Sequence, residues 1–318
     1  MGRRTLLHGL FLFLLPVIVA WWGVSVPGAI ALVLLALLWR WGISLSALAA
    51  APRGPELELE TISASHFVEK VRWCMDRLGV DYDEKPVGGA LGAFFLGRTV
   101  PLLRFRSGAV RSSIGNSPEI LRYLWGRYAA ERGPQAEFLR PTAERLDLEA
   151  RVDRCGANLQ VWVYFHILDD RDLTLHAWGA DSPAIPAWQR FVLKLLYPLL
   201  RALMRKAFRI SPRHHARAIE HLARTLAEVE EQLADGRQSI LGGSEINFSD
   251  MAFAAIMGLW VMPPAFGGGR ADAVRIAIER CPPAMQEEIA AWKQSYPLVT
   301  AFVERLYAEQ RSGLPGQS

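Results

Sequence analysis

Glu56-Leu57-Glu58-Leu59-Glu60-Thr61-Ile62 followed by Ser65-His66-Phe67-Val68-Glu69-Lys70-Val71-Arg72-Trp73 is the stretch that decides the fold of this chain. The first seven residues alternate polar and apolar, the period of a strand with one buried face. The second run places Phe67, Val71, Cys74, Met75 and Leu78 on one side of a helix from about His66 to Leu78, with Gly79 as its stop signal. Working outward, Tyr82 to Val87 reads as a second strand. Pro101 to Phe105 and Ala109 to Ile114 read as a hairpin across Arg106-Ser107-Gly108. Ser117 then opens a helix with Pro118 in the first turn, where proline is favoured. Strand, helix, strand, hairpin, helix is the order of a thioredoxin-like α/β domain, covering 56–128.

Beyond Thr142 strand patterns disappear and an all-helical region, 142–311, begins. Ala143 to Leu168, Ala187 to Phe208, Pro212 to Leu233, Phe248 to Val261, Pro283 to Ser295 and Pro297 to Arg311 support helices separated by Pro, Gly and Asp/Ser signals. Asn247-Phe248-Ser249-Asp250 reads as a helix start, Asn247 capping and Asp250 answering three positions on. Gly88 to Gly97 is dense in glycine and is read as a loop, since it matches no phosphate-binding pattern.

The 318 residues are 51% hydrophobic, and the excess sits in the first fifty, 1–50, ahead of a Pro/Gly linker at 51–55. Leu6 to Trp22 has His8 as its sole titratable residue; about 17 helical residues rise roughly 25 Å, near the lower limit for a bilayer core. After Pro27-Gly28, Ala29 to Leu38 and Gly42 to Ala51 flank Trp39-Arg40-Trp41, which reads as a second, short or tilted span with Arg40 snorkelling. A helical hairpin of this kind puts Arg3, Arg4, Arg40 and Arg53 on one side. By the positive-inside rule that side, and the folded domain, face the cytoplasm from an inner or plasma membrane. The competing reading is an export signal ending at Ala47-Leu48-Ala49, but such a leader far exceeds the usual ~15–30 residues.

The net charge of +4 fits an anionic membrane surface or anionic substrates and is too small to argue for nucleic acid. Cys74, Cys155 and Cys281 form no CxxC pair, so neither a disulfide framework nor a zinc site is expected. His214, His215 and His221 cluster in sequence, yet His214 and His221 stand roughly 10 Å apart on a helix. They are read as a solvated face, with no metal site.

Three pieces of the first domain resemble the glutathione transferase superfamily. Ser65 to Trp73, running on to Leu78-Gly79-Val80-Asp81-Tyr82, is similar to its first-helix signature. Thr99-Val100-Pro101-Leu102-Leu103 is similar to its cis-proline segment, and Asn116-Ser117-Pro118-Glu119-Ile120-Leu121-Arg122-Tyr123-Leu124 to its glutathione-carboxylate motif. Asn247 to Met251, after Leu241-Gly242-Gly243, resembles the capping motif of its helical domain. The resemblance implies glutathione as co-substrate, a hydrophobic electrophile as its partner, no metal, and an arrangement compatible with a homodimer. It assigns a catalytic role to Ser65 and glutathione binding to Val100, Pro101, Asn116 and Ser117.

The chemistry can also be argued from position. Ser65 lies at a helix start, where free N–H groups and the dipole favour an anion, and its hydroxyl can hydrogen-bond a thiolate nucleophile. A plain helix cap fits the same position. Val100-Pro101 would, by resemblance, be the cis peptide that turns the Val100 backbone to the cysteinyl part of glutathione. Two residues depart from the pattern. Asn116 stands where the superfamily commonly has an acidic residue, and Val68 leaves no second thiol for dithiol chemistry. Trp162, Tyr164, Phe165 and His166 are candidates to reach an electrophile pocket. Trp188 to Phe208 is a basic amphipathic helix suited either to anionic lipid or to a solvated face. The leading expectation is a membrane-tethered transferase, the alternative a non-catalytic scaffold on the same fold. A channel is disfavoured because the hydrophobic segment precedes the folded domain.

Overall fold

The computed structural model describes residues 18, 26–49, 56–94, 100–107 and 110–311. They divide into two compact units, 1–57 with 104–112, and 58–103 with 113–318.

In the first unit, helix α1 spans Val26–Ala49 and carries large exposed apolar side chains, among them Leu38, Trp39 and Trp41. Arg106 and Glu56 form an exposed ion pair at the strand ends. Of the two expected membrane spans, the first lies outside the described residues except for Ile18; α1 covers most of the second. Among the described residues no helix is long and apolar enough to cross a membrane, so the expected anchor gains no support there.

The sheet order is β2-β1-β3-β4, from β1 (Glu56–Thr61), β2 (Asp83–Pro86), β3 (Leu102–Ser107) and β4 (Val110–Gly115). β1 and β2 run parallel with Glu58 opposite Asp83 and Thr61 opposite Pro86. They are joined by α2 (His66–Leu78), as a parallel pair requires a crossover. With α4 (Ser117–Arg132) following β4, this is the thioredoxin-like order expected from the sequence. α2 starts at Ser65, in extended backbone, whose side chain accepts from the Val68 N–H, and stops at Gly79, at φ 66. Few L residues adopt that left-handed conformation, which explains the glycine.

α2 is buried nearly all round, charges included. Lys70 Nζ reaches Glu149 at 2.7 Å and Asp153 at 2.8 Å on α5 (Ala143–Ile167). Arg72 pairs with Glu84 at 2.6 Å, while Arg311 binds Glu69 at 2.9 Å and Asp76 at 2.7 Å. Buried charges are tolerable only when paired, and removing one member of such a pair costs about 3–5 kcal/mol. The amphipathic pattern of the sequence fixes the helix; these pairs fix what it packs against.

Between β2 and the next strand the structure has a short helix, α3 (Gly89–Phe94), where the glycine density pointed to loop. Tertiary contacts override composition here. The Gly89 N–H donates to the Trp178 carbonyl at 3.0 Å and the Gly88 N–H to Gln189 Oε1 at 2.7 Å. A Cβ on Gly89 would lie 2.4 Å from the Trp178 ring, so the glycine is required by close approach.

The helical region follows the expected segments and adds, among the described residues, an α-helix not expected from the sequence, α6 (Arg171–Ala177), capped by the Asp170 side chain on the Leu173 N–H at 3.0 Å. Next come α7 (Ala187–Ala207), α8 (Pro212–Leu233), α9 (Phe248–Val261), α10 (Pro283–Ser295) and α11 (Pro297–Leu306). α9 is the central helix, buried along almost its whole length. Its start is the reciprocal capping box expected from Asn247 and Asp250. The Asp250 carboxylate accepts from the Asn247 N–H at 3.0 Å, the Ile240 N–H at 2.8 Å and the Ser239 hydroxyl at 2.8 Å.

Candidate functional site

Four of the five expected site residues meet on one cavity. Ser65, Val100, Pro101 and Asn116 line a space of about 500 Å³, within the range of small-molecule sites. Each arrives by a local rule. Ser65 is held by the β1–α2 turn, its N–H donating to the Ile62 carbonyl at 2.8 Å. Its Oγ is 3.5 Å from the Val68 nitrogen, a long capping contact that leaves the hydroxyl hydrogen uncommitted. The Val100–Pro101 peptide is cis, as the motif implied. Asn116 sits at φ 72 and ψ 132, outside the left-handed helical region that asparagine tolerates, so its backbone is strained, and its side chain does not cap α4.

Ser117 is the exception. Its side chain is buried, with Oγ lacking a hydrogen-bond partner, and it is not among the residues lining the cavity. At the α4 N-terminus Asn116 therefore reaches the cavity wall while Ser117 does not line it.

Much of the remaining lining is apolar or aromatic: Tyr164 from α5, Trp178, Phe208, Met262 and Phe266. Of the four α5 residues expected to reach a pocket, only Tyr164 does. Its hydroxyl accepts from Trp178 Nε1 at 3.3 Å, and burial raises its pKa, so it stays a neutral phenol. Trp162 is fully buried and packs on Trp292, ring centroids 4.9 Å apart. Phe165 and His166 face His215 instead. Trp178, Phe208, Phe266 and Arg275 were not identified from sequence; they lie in connections or at helix ends, where no periodicity marks an inward face.

His66, next to Ser65, also lines the cavity. Burial pushes its imidazole down to about 3, a Gly156 backbone hydrogen bond opposing and the Lys70 charge assisting. Nε2 is buried with no hydrogen-bond partner. A base this weak cannot take a thiol proton near neutral pH. Gly156 on α5 makes the packing possible, since a Cβ there would meet Phe67 Cζ at 2.8 Å and His66 Nε2 at 2.9 Å. Arg275 is the cation on the cavity wall. Cys74, Cys155 and Cys281 are buried free thiols whose pKa values burial raises, to about 12 for Cys74 and about 11 for Cys281, so none is an activated nucleophile.

The histidine grouping read from sequence is not the one the fold makes. His221 Nδ1 pairs with Arg224 Nη2 at 2.6 Å, whereas His215 turns inward to join His166 and Glu288. Among the described residues these three form a group whose donor atoms could hold a metal ion. None of the three lines the cavity.

No family model matches the sequence, and no curated protein does. The structure is similar to a glutathione S-transferase from Methylobacterium radiotolerans JCM 2831 in complex with glutathione sulfonate, at 15% identity and TM-score 0.48, covering 80% of this chain and 91% of that one. It is also similar to a glutathione S-transferase from Methylobacillus flagellatus KT with glutathione bound, at 16% identity and TM-score 0.46, covering 80% and 95%. A third similarity is to maleylacetoacetate isomerase from Anaeromyxobacter dehalogenans 2CP-1, with glutathione in its active site, at 15% identity and TM-score 0.43, covering 84% and 98%. Resemblances this distant carry no functional argument.

Proposed function

We propose that this chain is a glutathione transferase-like enzyme that activates the glutathione thiol at Ser65 for attack on a hydrophobic electrophile. The observation that carries the reading is that Ser65, the Val100–Pro101 peptide and Asn116 line one cavity together with the aromatic residues Tyr164, Trp178, Phe208 and Phe266. The polar side suits a small peptide: backbone groups beside the cis-proline, an N–H-rich helix start, and a hydroxyl free to donate. The apolar side suits an uncharged electrophile. With His66 unable to act as a base and no nucleophilic cysteine nearby, the chemistry assigned to the protein is stabilisation of a thiolate. The thiol proton leaves to solvent, Ser65 Oγ–H donates to the sulfur, and the thiolate forms the new bond as the electrophile's leaving group departs or its double bond takes up the charge. Arg275 supplies positive charge towards the anionic tripeptide. Turnover with a panel of aryl halides and enones, measured for the wild type and Ser65→Ala, tests this assignment.

The absence of Ser117 from the cavity wall and the uncharged Asn116 favour a second reading, a non-catalytic scaffold on the same fold, because both weaken the expected grip on the γ-glutamyl group. Glutathione binding without turnover on any electrophile would select it.

Membrane association is part of the proposal. It is supported by the exposed apolar residues of α1 and, independently, by α7. There Trp188, Phe191, Leu195 and Leu199 are 50–66% exposed and, at about 100° per residue, fall in a sector of about 80°. Arg190, Lys194, Arg201 and Arg205 run along one edge of that sector, and α7 has no acidic residue. Apolar stripes edged with basic residues suit an anionic bilayer surface. The arginine placement puts the domain on the cytoplasmic face; a reporter at Ser318 accessible only from the opposite side would refute that topology.

A further inference from the structure

We propose that His166, His215 and Glu288 form a divalent-metal site of the zinc type that ties together α5, α8 and α10, separate from the glutathione cavity. His166 is the penultimate residue of α5, His215 lies in the first turn of α8 and Glu288 is in the middle of α10. His166 Nε2 is 3.0 Å and His215 Nε2 is 3.8 Å from Glu288 Oε2, and the three donors all lie within 4.8 Å of one another. Taking those separations as the triangle's sides, a common centre lies no more than about 2.4 Å from each donor, against the ~2.0–2.2 Å of zinc to nitrogen or carboxylate oxygen. Side-chain adjustments of a few tenths of an ångström close that gap.

The reason to invoke a metal is an unanswered polar atom. A hydrogen bond to Glu288 accounts for His166, but His215 is 8% exposed and its Nε2 has no hydrogen-bond partner. A buried unpaired ring nitrogen costs free energy that a metal–nitrogen bond would recover. The donors are also held in place. His215 stacks on Phe165, centroids 3.8 Å apart, and His166 stands edge-on to Trp162 at 5.7 Å. Trp162 Nε1 donates to Glu288 Oε2, the kind of outer contact that orients a ligating carboxylate. Two imidazoles and a carboxylate leave a fourth, open position, and Glu288 is 29% exposed, which gives the ion a route in.

The test uses untagged full-length protein in mild detergent, stripped with a chelator and titrated with Co²⁺, then with Zn²⁺ in competition. The expected result is one equivalent of Co²⁺ with the visible absorption of a low-symmetry site, displaced by Zn²⁺, and a rise in the thermal midpoint with Zn²⁺. His215→Asn and Glu288→Gln should each weaken binding at least tenfold. X-ray absorption of the zinc-loaded wild type should show two imidazoles, oxygen and no sulfur, a readout that stands even if a variant fails to fold. Absence of binding at 0.1 mM metal (about the upper bound of useful affinity), sulfur in the ligand set, or unchanged affinity in folded His215→Asn would overturn the proposal. In the first case, the His166–Glu288 contact would be a proton-mediated pair only.

Discussion

His66 makes the fold sensitive to acid, and the size of the effect follows from its burial. Its folded pKa of about 3 lies below the ordinary 6.5, so between those values the unfolded chain takes up a proton that the folded chain refuses. The contribution is fully present above pH 6.5 and is lost as pH falls towards 3. At roughly 1.4 kcal/mol per pH unit below 6.5, going from pH 7 to pH 5 removes about 2 kcal/mol. No discount for solvent screening applies, since the side chain is 3% exposed. Urea unfolding of the full-length protein at pH 7, 6 and 5 measures the slope. His66→Asn, which retains donor groups but does not titrate, should flatten it by about 2 kcal/mol over that interval, whatever its own offset at pH 7. The remaining slope belongs to the other groups that titrate in this range. Identical slopes in wild type and variant would refute the reasoning, meaning that His66 is as readily protonated folded as unfolded.

Other perturbations probe separate parts of the account. Ser65→Ala should raise the pKa of bound glutathione thiol and slow turnover roughly ten- to a hundredfold, the equivalent of a charge-assisted hydrogen bond of about 1.5–3 kcal/mol; thiolate absorbance against pH reads the first, steady-state rates the second. Asn116→Asp should tighten glutathione binding by pairing with its amine, whereas Ser117→Ala, off the cavity wall, should change it little; both are read by calorimetry. Gly89→Ala drives a Cβ into Trp178 and should cost about 1–3 kcal/mol by thermal or urea unfolding, with reduced electrophile binding because Trp178 lines the cavity. Phe191→Asp with Leu195→Asp should weaken attachment to vesicles containing anionic lipid, measured by flotation after the N-terminal segment is removed, without lowering the unfolding midpoint.

What the sequence could and could not reveal divides along a physical line. Features set by near neighbours were legible. Alternation in Glu56–Thr61, the apolar face and Gly79 stop of α2, and the Asn247–Asp250 capping box all depend on residues a few positions apart. The cis peptide at Val100–Pro101 was available only through resemblance, since most X-Pro bonds in folded proteins are trans. Features set by distant partners were not legible. α3 forms from a glycine-rich run because Trp178 and Gln189 receive it, and His215 meets Glu288 from 73 residues away in sequence, a separation no local pattern encodes. The same limit applies to Ser117: a motif can place it at a helix start, but the direction of its side chain depends on packing across the domain.

The central claim is that the cavity walled by Ser65, Val100, Pro101 and Asn116 takes up glutathione and sharpens its thiol. Calorimetric titration of the full-length protein with glutathione, repeated with S-methylglutathione across pH 6 to 9, tests it most directly. The expected result is saturable one-to-one binding below millimolar concentration. Glutathione is also expected to gain affinity over the S-methyl analogue as pH rises through a thiol pKa lowered from its free value, and Ser65→Ala to abolish this gain. No binding at millimolar glutathione, or binding with the same pH dependence for both ligands, would contradict the claim.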